Sequence, residues 1–172
     1  MRGFFALVAL ILVSGLARAG DLKFTIIQPP LIYGYGVKGN LQTLLKAMQL
    51  GIPLPFASVD NRRDIVALPV ICDLIETCLR SHRADNQTFL VADGLPRSTA
   101  DIIRLLGRIH RVEPRLFPFP AGLLGLLFRI PGLGAASSRL LDDLEIDISH
   151  TKKQLDWCPV IPDPATLGAD CK

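Results

Sequence analysis

Thr25-Ile26-Ile27-Gln28-Pro29-Pro30-Leu31-Ile32-Tyr33-Gly34-Tyr35-Gly36-Val37-Lys38-Gly39-Asn40 is the stretch on which the fold turns. Its first part is β-branched and almost continuously apolar. That pattern predicts a strand within Lys23–Tyr33, buried on both faces. Pro29-Pro30 must end regular pairing, because proline donates no ladder hydrogen bond. Three glycines then form a tight loop, and Asn40 is a suitable N-cap for a helix over Leu41–Leu50, with Leu41, Leu44, Leu45 and Met48 on one face. Gly51-Ile52-Pro53 stops that helix.

The glycines match G-x-G-x-x-G at Gly34, Gly36 and Gly39, between a strand and a helix, with Asp60 about 20 residues on. This is the context of a dinucleotide-binding turn. Against it, the two prolines interrupt the strand that must feed the turn, and no strand ends at Asp60. A glycine turn that admits left-handed backbone explains the same residues.

Working outward, Ile65-Val66-Ala67-Leu68 reads as a short strand. Pro69 suits the first turn of a helix running to about Ser81. Thr88–Ala92 is a further strand closed by Asp93-Gly94. Ser98-Thr99-Ala100-Asp101 caps a helix whose core face is Ile102, Ile103, Leu105 and Leu106. Arg115–Phe119 is extended, Ala121–Ile130 an apolar helix, Ile146–Ile148 a last strand, and Ser149 the cap of a helix over Thr151–Leu155. Alternating strands and helices give the α/β or α+β class. The strands are few for a buried sheet, so the strand at Phe24–Ile27 is expected to lack parallel neighbours and to leave an unpaired edge that promotes association.

At the N-terminus Arg2, the apolar run Phe4–Val13 and Ala17-Arg18-Ala19 resemble a secretory signal. The run is shorter than the roughly 20 apolar residues of a membrane span. The other reading is a buried apolar helix.

Composition narrows the function. The chain has 172 residues, 49% of them hydrophobic, which suits one folded domain and excludes disorder. A net charge of +3 and 6% aromatics argue against nucleic acid. Cys72, Cys78, Cys158 and Cys171 contain no CxxC, and His82, His110 and His150 no HExxH, so no metal site is expected.

Three segments carry a resemblance. Thr25–Asn40 is similar to an "xLRPPxVYGPGxxxN" pattern, Asn61-Arg62-Arg63-Asp64-Ile65-Val66 to "xxRxxVxVxD", and Asp147–Pro159 to "DxSKxxxxLGWxP". In this order they resemble the extended short-chain dehydrogenase/reductases, specifically the NAD-dependent nucleotide-sugar epimerases and dehydratases of the UDP-glucose 4-epimerase type. The resemblance covers residues 22 to 168. It implies a partial Rossmann-type α/β fold, mostly the C-terminal substrate-binding lobe, over residues 21–168. Residues 1–20 are then either a signal-like segment or a remnant of the catalytic helix, and 169–172 a tail.

The resemblance implies further expectations. The family reaction is hydride transfer between a sugar and NAD, with Tyr-x-x-x-Lys as the acid/base pair. Tyr33 and Tyr35 are followed four residues later by Val37 and Gly39, so no catalytic residue is assigned and the chain is expected to be inactive alone and to bind no NAD by itself. A cofactor-domain partner chain is one way to complete it. The expected ligand is a nucleotide sugar, a UDP-sugar above all. Asn40 and Arg63 are carried over as substrate-binding residues, Arg63 on the diphosphate, with Arg139 a second phosphate contact. Pro29 and Pro30 are placed by the nicotinamide, and the loop Gly34–Gly39 beside the nucleotide sugar. The location is cytoplasmic by resemblance, or secreted or periplasmic if residues 1–19 are a cleaved signal. In that case the chain is a non-catalytic binding protein. The chain departs from the family pattern at Gln28 (Arg), Tyr35 (Pro), Pro69 (acidic), His150 (Lys) and Asp156 (Gly).

Overall fold

The computed structural model describes residues 10–14, 23–34, 36, 39–120, 123–124, 141–164 and 167. The chain divides into two compact units. Unit 1 comprises Met1–Ile32, Asp64–Leu95 and Ile146–Ile161, and unit 2 comprises Tyr33–Arg63, Pro96–Glu145 and Pro162–Lys172.

Unit 1 is built on a three-stranded sheet with the order β1 (Leu10–Ser14), β2 (Lys23–Gln28), β5 (Gln87–Leu90). β1 runs antiparallel to β2, with Leu10 opposite Ile27 and Ser14 opposite Lys23. β5 runs parallel to β2, with Thr25 opposite Gln87 and Gln28 opposite Leu90. The expectation of an unpaired edge at Phe24–Ile27 is therefore corrected: β2 is the central strand. The missing neighbour comes from the apolar N-terminal run, whose residues 10–14 are strand and not helix. The positive start at Arg2, the cleavage-like Ala17-Arg18-Ala19 and any remnant of a catalytic helix there lie outside the described residues. Burial on both faces is also corrected. Thr25 and Ile27 are buried, but Phe24 on the opposite face is 40% exposed.

The backbone breaks at Pro29-Pro30, as two residues without N–H donors require, and β3 (Leu31–Tyr33) pairs with β4 (Ile65–Ala67) in a separate two-stranded sheet. Ile65, Val66 and Ala67 are fully buried. α2 (Leu68–Arg80) follows at once, with proline in its first turn and Val70, Ile71, Leu74 and Cys78 on its inner face. Its entry is fixed by Asp93, whose carboxylate accepts Ala67 N at 3.0 Å while its own N–H donates to Ile65 O at 2.9 Å.

The third segment of unit 1 contributes α4 (Ser149–Leu155). Ile146–Ile148 is not a strand. Ile146 N is instead spent on the carboxylate of Asp64, 2.6 Å away. Ser149 is the first helical residue and not the cap, and its N–H is taken by Asp147 Oδ1 at 2.8 Å. Thr151 Oγ1 donates to Leu90 O at 2.6 Å, and the His150 ring stacks on Phe89 with centroids 5.8 Å apart. Trp157 is buried, with its indole N–H donating to Asp73 Oδ2 at 2.6 Å.

Unit 2 holds α1 (Asn40–Gln49) and α3 (Thr99–His110). Leu41, Leu44 and Met48 form the buried stripe of α1, and Ile102, Ile103, Leu105, Leu106 and Ile109 that of α3. Ser98 caps α3 as expected, its hydroxyl accepting Asp101 N at 3.1 Å. Asn40 does not cap α1. That position falls to Gly39, at φ 67, and Asn40 is already helical. Glycine tolerates this left-handed geometry without a Cβ clash. Leu54 bridges Leu116, so the two extended connections pair. Of the apolar helix expected over Ala121–Ile130, only Leu123 and Leu124 are described, and both are helical.

Candidate functional site

The region around Arg63 in unit 2 is assembled by backbone pairing. Arg63 and Arg97 exchange two hydrogen bonds, Arg63 N to Arg97 O at 2.9 Å and Arg97 N to Arg63 O at 2.8 Å. On the other side Leu144 N donates to Arg62 O at 2.8 Å. Residues 62–63 thus run between two neighbours, antiparallel to Arg97 and parallel to Leu144. A residue paired on both sides cannot drift, so its side chain starts from a fixed root.

Arg63 is not the solvated surface arginine that its sequence context also allows. It is 8% exposed. Its Nη1 donates to the backbone carbonyl of Asp142. Burial pushes the guanidinium below its usual range, while the carboxylates of Asp142 and Asp143 act in the opposite direction. A guanidinium has five N–H donors in a planar fork, so the contact with Asp142 leaves capacity for a further acceptor.

Asn61 is a residue that sequence reasoning quoted but gave no role. Its Oδ1 accepts Thr99 N at 2.9 Å, one of the first N–H groups of α3, and its Nδ2 donates to Asp142 O at 3.2 Å. One buried amide therefore ties the start of α3 to the segment that also receives Arg63. Arg62 is the outward counterpart: its Nε reaches Glu145 Oε1 at 2.6 Å, but both side chains are more than half exposed, so this pair contributes little.

A hollow of about 280 Å³ lies against this assembly, lined by Val59, Asp60, Asn61, Leu141 and Asp143. Asp60 and Asp143, among these described residues, are carboxylates, which repel a phosphate group.

Asn40 lies in unit 2, half-buried at the first turn of α1. Arg139 lies outside the described residues. Pro29 and Pro30 belong to unit 1, at the break between β2 and β3, with Pro29 buried and Pro30 half-buried. Among the described residues no group of His, Cys, Asp and Glu is arranged to hold a metal ion, and no helix is long and apolar enough to cross a membrane.

The described residues of the glycine turn lack the setting of a dinucleotide fingerprint. The strand that feeds it, β3, has three residues, is cut off from β2 by the prolines and, among the described residues, pairs with β4 alone in a two-stranded sheet. A dinucleotide fingerprint needs that strand inside a larger parallel sheet. Gly36 and Gly39, at φ 72 and 67, are explained by the turn itself.

No protein-family model matches the sequence. The chain is 39% identical over 153 residues to the UDP-glucose 4-epimerase of Vibrio cholerae, a match that covers 88% of this chain and 45% of that protein. Among solved structures it is similar to the UDP-glucose 4-epimerase of Thermotoga maritima with UDP-glucose, at a TM-score of 0.53 and 20% identity over 86% of this chain and 44% of that one. It is also similar to the Bordetella bronchiseptica enzyme WbmG in complex with NAD and UDP, at a TM-score of 0.55 and 16% identity over 83% and 41%. The structural likenesses show a shared α/β fold. In each case the chain spans less than half the length of its relative.

Proposed function

We propose that this chain, which resembles in sequence and fold the C-terminal portion of the NAD-dependent nucleotide-sugar epimerases, holds the nucleotide sugar for such an enzyme. The observation that carries the reading is the 39% identity with a UDP-glucose 4-epimerase along 88% of the chain. The site chemistry supports it. Arg63 is a rooted, desolvated guanidinium, the side chain best suited to grip a diphosphate bidentately. Asn40 and Arg139 are proposed as further contacts to the ligand, Asn40 through its amide.

Hydride transfer needs an acid/base pair and a dinucleotide. The 172 residues contain no Tyr-x-x-x-Lys, since Tyr33 and Tyr35 are followed by Val37 and Gly39. The described residues do not fit a dinucleotide by themselves. In this reading the chain binds and orients a UDP-sugar, and turnover requires a cofactor fold supplied by further sequence or by a partner chain. Pro29 and Pro30 would then border the nicotinamide. A cytoplasmic location goes with this role by resemblance to the family.

Calorimetry with UDP-glucose tests the proposal. Binding should be measurable, and Arg63→Ala should weaken it about 10- to 100-fold, the worth of one charge-assisted contact. Absence of binding at millimolar UDP-glucose would refute the reading. An unchanged affinity in Arg63→Ala would refute the placement of the diphosphate.

A further inference from the structure

Unit 2 leaves several large apolar side chains outside its core, and they are neighbours. Leu50, at the end of α1, is 76% exposed, Ile52 47% and Phe117 39%. Leu54 N donates to Arg115 O at 2.8 Å and Phe117 N to Leu54 O at 3.1 Å, which lays the extended segment around Leu116 alongside the one around Leu54. Arg115, exposed like Phe117, reaches the turn between Leu50 and Ile52: a Cβ built on Gly51 would stand 3.8 Å from its Nη1. Lys46 is also exposed and lies four residues before Leu50, a spacing that makes the two neighbours on a helix surface. Neither Lys46 nor Arg115 has an ion-pair partner among the described residues. Residues 41–59 contain no Asp or Glu, and Glu113 is the one acid in residues 102–120. A single exposed leucine is ordinary. Apolar side chains joined into one patch and flanked by free cations mark a surface that meets something.

We propose that this patch docks on the surface of an anionic lipid membrane, with Leu50, Ile52 and Phe117 entering the headgroup boundary and Lys46 and Arg115 meeting lipid phosphates. Such docking is peripheral and needs no membrane-spanning helix. Charge selects the occupant. A second copy of the chain would set the Lys46 and Arg115 of one molecule against those of the other. An anionic bilayer offers both an apolar layer and negative charge at the depth where each is needed. Lysine and arginine suit that boundary, because their apolar stems lie along the hydrocarbon while their charged ends stay with the headgroups. Glu113 opposes the attraction, but Arg111 and Arg115 flank it. The proposal stands apart from the nucleotide-sugar reading, since none of the patch residues is assigned to that ligand.

The test is co-sedimentation of the full chain with vesicles of phosphatidylcholine, made with and without phosphatidylglycerol. The wild type should bind the vesicles that contain phosphatidylglycerol and release them at about 1 M salt, where screening leaves a Debye length of about 3 Å. Lys46→Gln and Arg115→Gln should each weaken binding about fivefold. Leu50→Ser with Ile52→Ser should weaken it at least tenfold. A second measurement locates the contact without removing any charge. Leu50→Trp should be quenched by brominated lipid in the same vesicles, whereas the wild type, whose one tryptophan is the buried Trp157, should not. This readout decides if a serine or glutamine variant fails to fold. Absence of vesicle binding overturns the proposal, and so does an unquenched Leu50→Trp. Wild-type binding in all the variants assigns membrane contact to another part of the chain, such as the apolar run Phe4–Val13, and equally overturns it. Equal binding to vesicles without phosphatidylglycerol would refute the role of charge on which the choice of occupant rests. A dimer, seen by light scattering and lost in Leu50→Ser, would give the patch to a second copy instead.

Discussion

Gly107 lies inside α3, where alanine normally stabilises a helix by about 0.5–1 kcal/mol relative to glycine. Here the opposite is expected. A Cβ at this position would stand 2.6 Å from the carbonyl oxygen of Val112, 2.9 Å from Pro114 Cδ and 3.4 Å from Met48 Cε. The methionine can move, but the carbonyl cannot easily do so. Arg111 holds left-handed geometry at φ 56, and both its N–H and that of Val112, at 2.9 Å, bond to Gly107 O. The chain is thus folded back onto the glycine and held there. Overpacking of this kind costs about 1–3 kcal/mol. Set against the propensity gain, the net loss at the middle of both ranges is about 1 kcal/mol. For a chain of this size that is a fall in Tm of about 2–4 °C. Thermal unfolding followed by far-ultraviolet circular dichroism measures it, with Arg108→Ala on the exposed face of the same helix as the control, expected within about 0.5 kcal/mol of wild type. An unchanged or higher Tm in Gly107→Ala would show that the return of the chain at Val112 is not as close as described.

Asp93→Ala should cost about 1–3 kcal/mol in urea unfolding, because it strips the buried N–H of Ala67 of its acceptor at the entry to α2. Alkylation of the folded chain at neutral pH should mark the exposed Cys72 and Cys158 and spare the buried Cys78, whose thiol burial pushes up to about 11, until denaturant is added. Peptide mass mapping would reveal the contrary. Asp101 lies below its usual range, chiefly because the Ser98 hydroxyl donates to it, with Arg104 adding to the effect and burial opposing it. Its folded pKa is depressed, so its stabilising contribution is present above the unfolded value of about 3.9 and is lost as pH falls through the folded one. Asp101→Asn should accordingly flatten the acid limb of stability against pH; an unaltered limb would assign that limb to other carboxylates.

Much of the architecture was legible wherever a single side chain or a short period dictates it. Pro29-Pro30 broke the strand, Pro69 opened α2, Ser98 capped α3, and the apolar spacing gave the inner faces of α1 and α3. The errors arose where the competing force is long-range. The run at Phe4–Val13 is apolar enough for a signal or a helix, and nothing local indicates that Leu10–Ser14 will pair with β2. Asn40 and Ser149 have the chemistry of caps, but the backbone turned one residue earlier at both, at Gly39 and at Ile148. Ile146–Ile148 has strand composition, yet the carboxylate of Asp64 claimed its N–H first. Arg63 was visible through its motif. Arg97 was not, because its relation to Arg63 is a backbone pairing across 34 positions, which leaves no mark on residue type.

The division into units also determines the order in which the chain can fold. Each unit is made of three separate stretches, and the chain passes between them five times. Unit 1 begins with β1 but does not receive α4 and Trp157 until after residue 145. Asp73 must therefore await its indole partner while 83 intervening residues emerge from the ribosome. Contacts of such high sequence separation slow folding, since loop closure must come before the reward. Neither unit can mature ahead of the other during synthesis, as consecutive domains do. Nor can either be excised as a continuous piece. A clone that stops near residue 95 would carry the sheet β1-β2-β5 and α2 but leave the groups that α4 and Trp157 satisfy, Leu90 O and Asp73, without those partners.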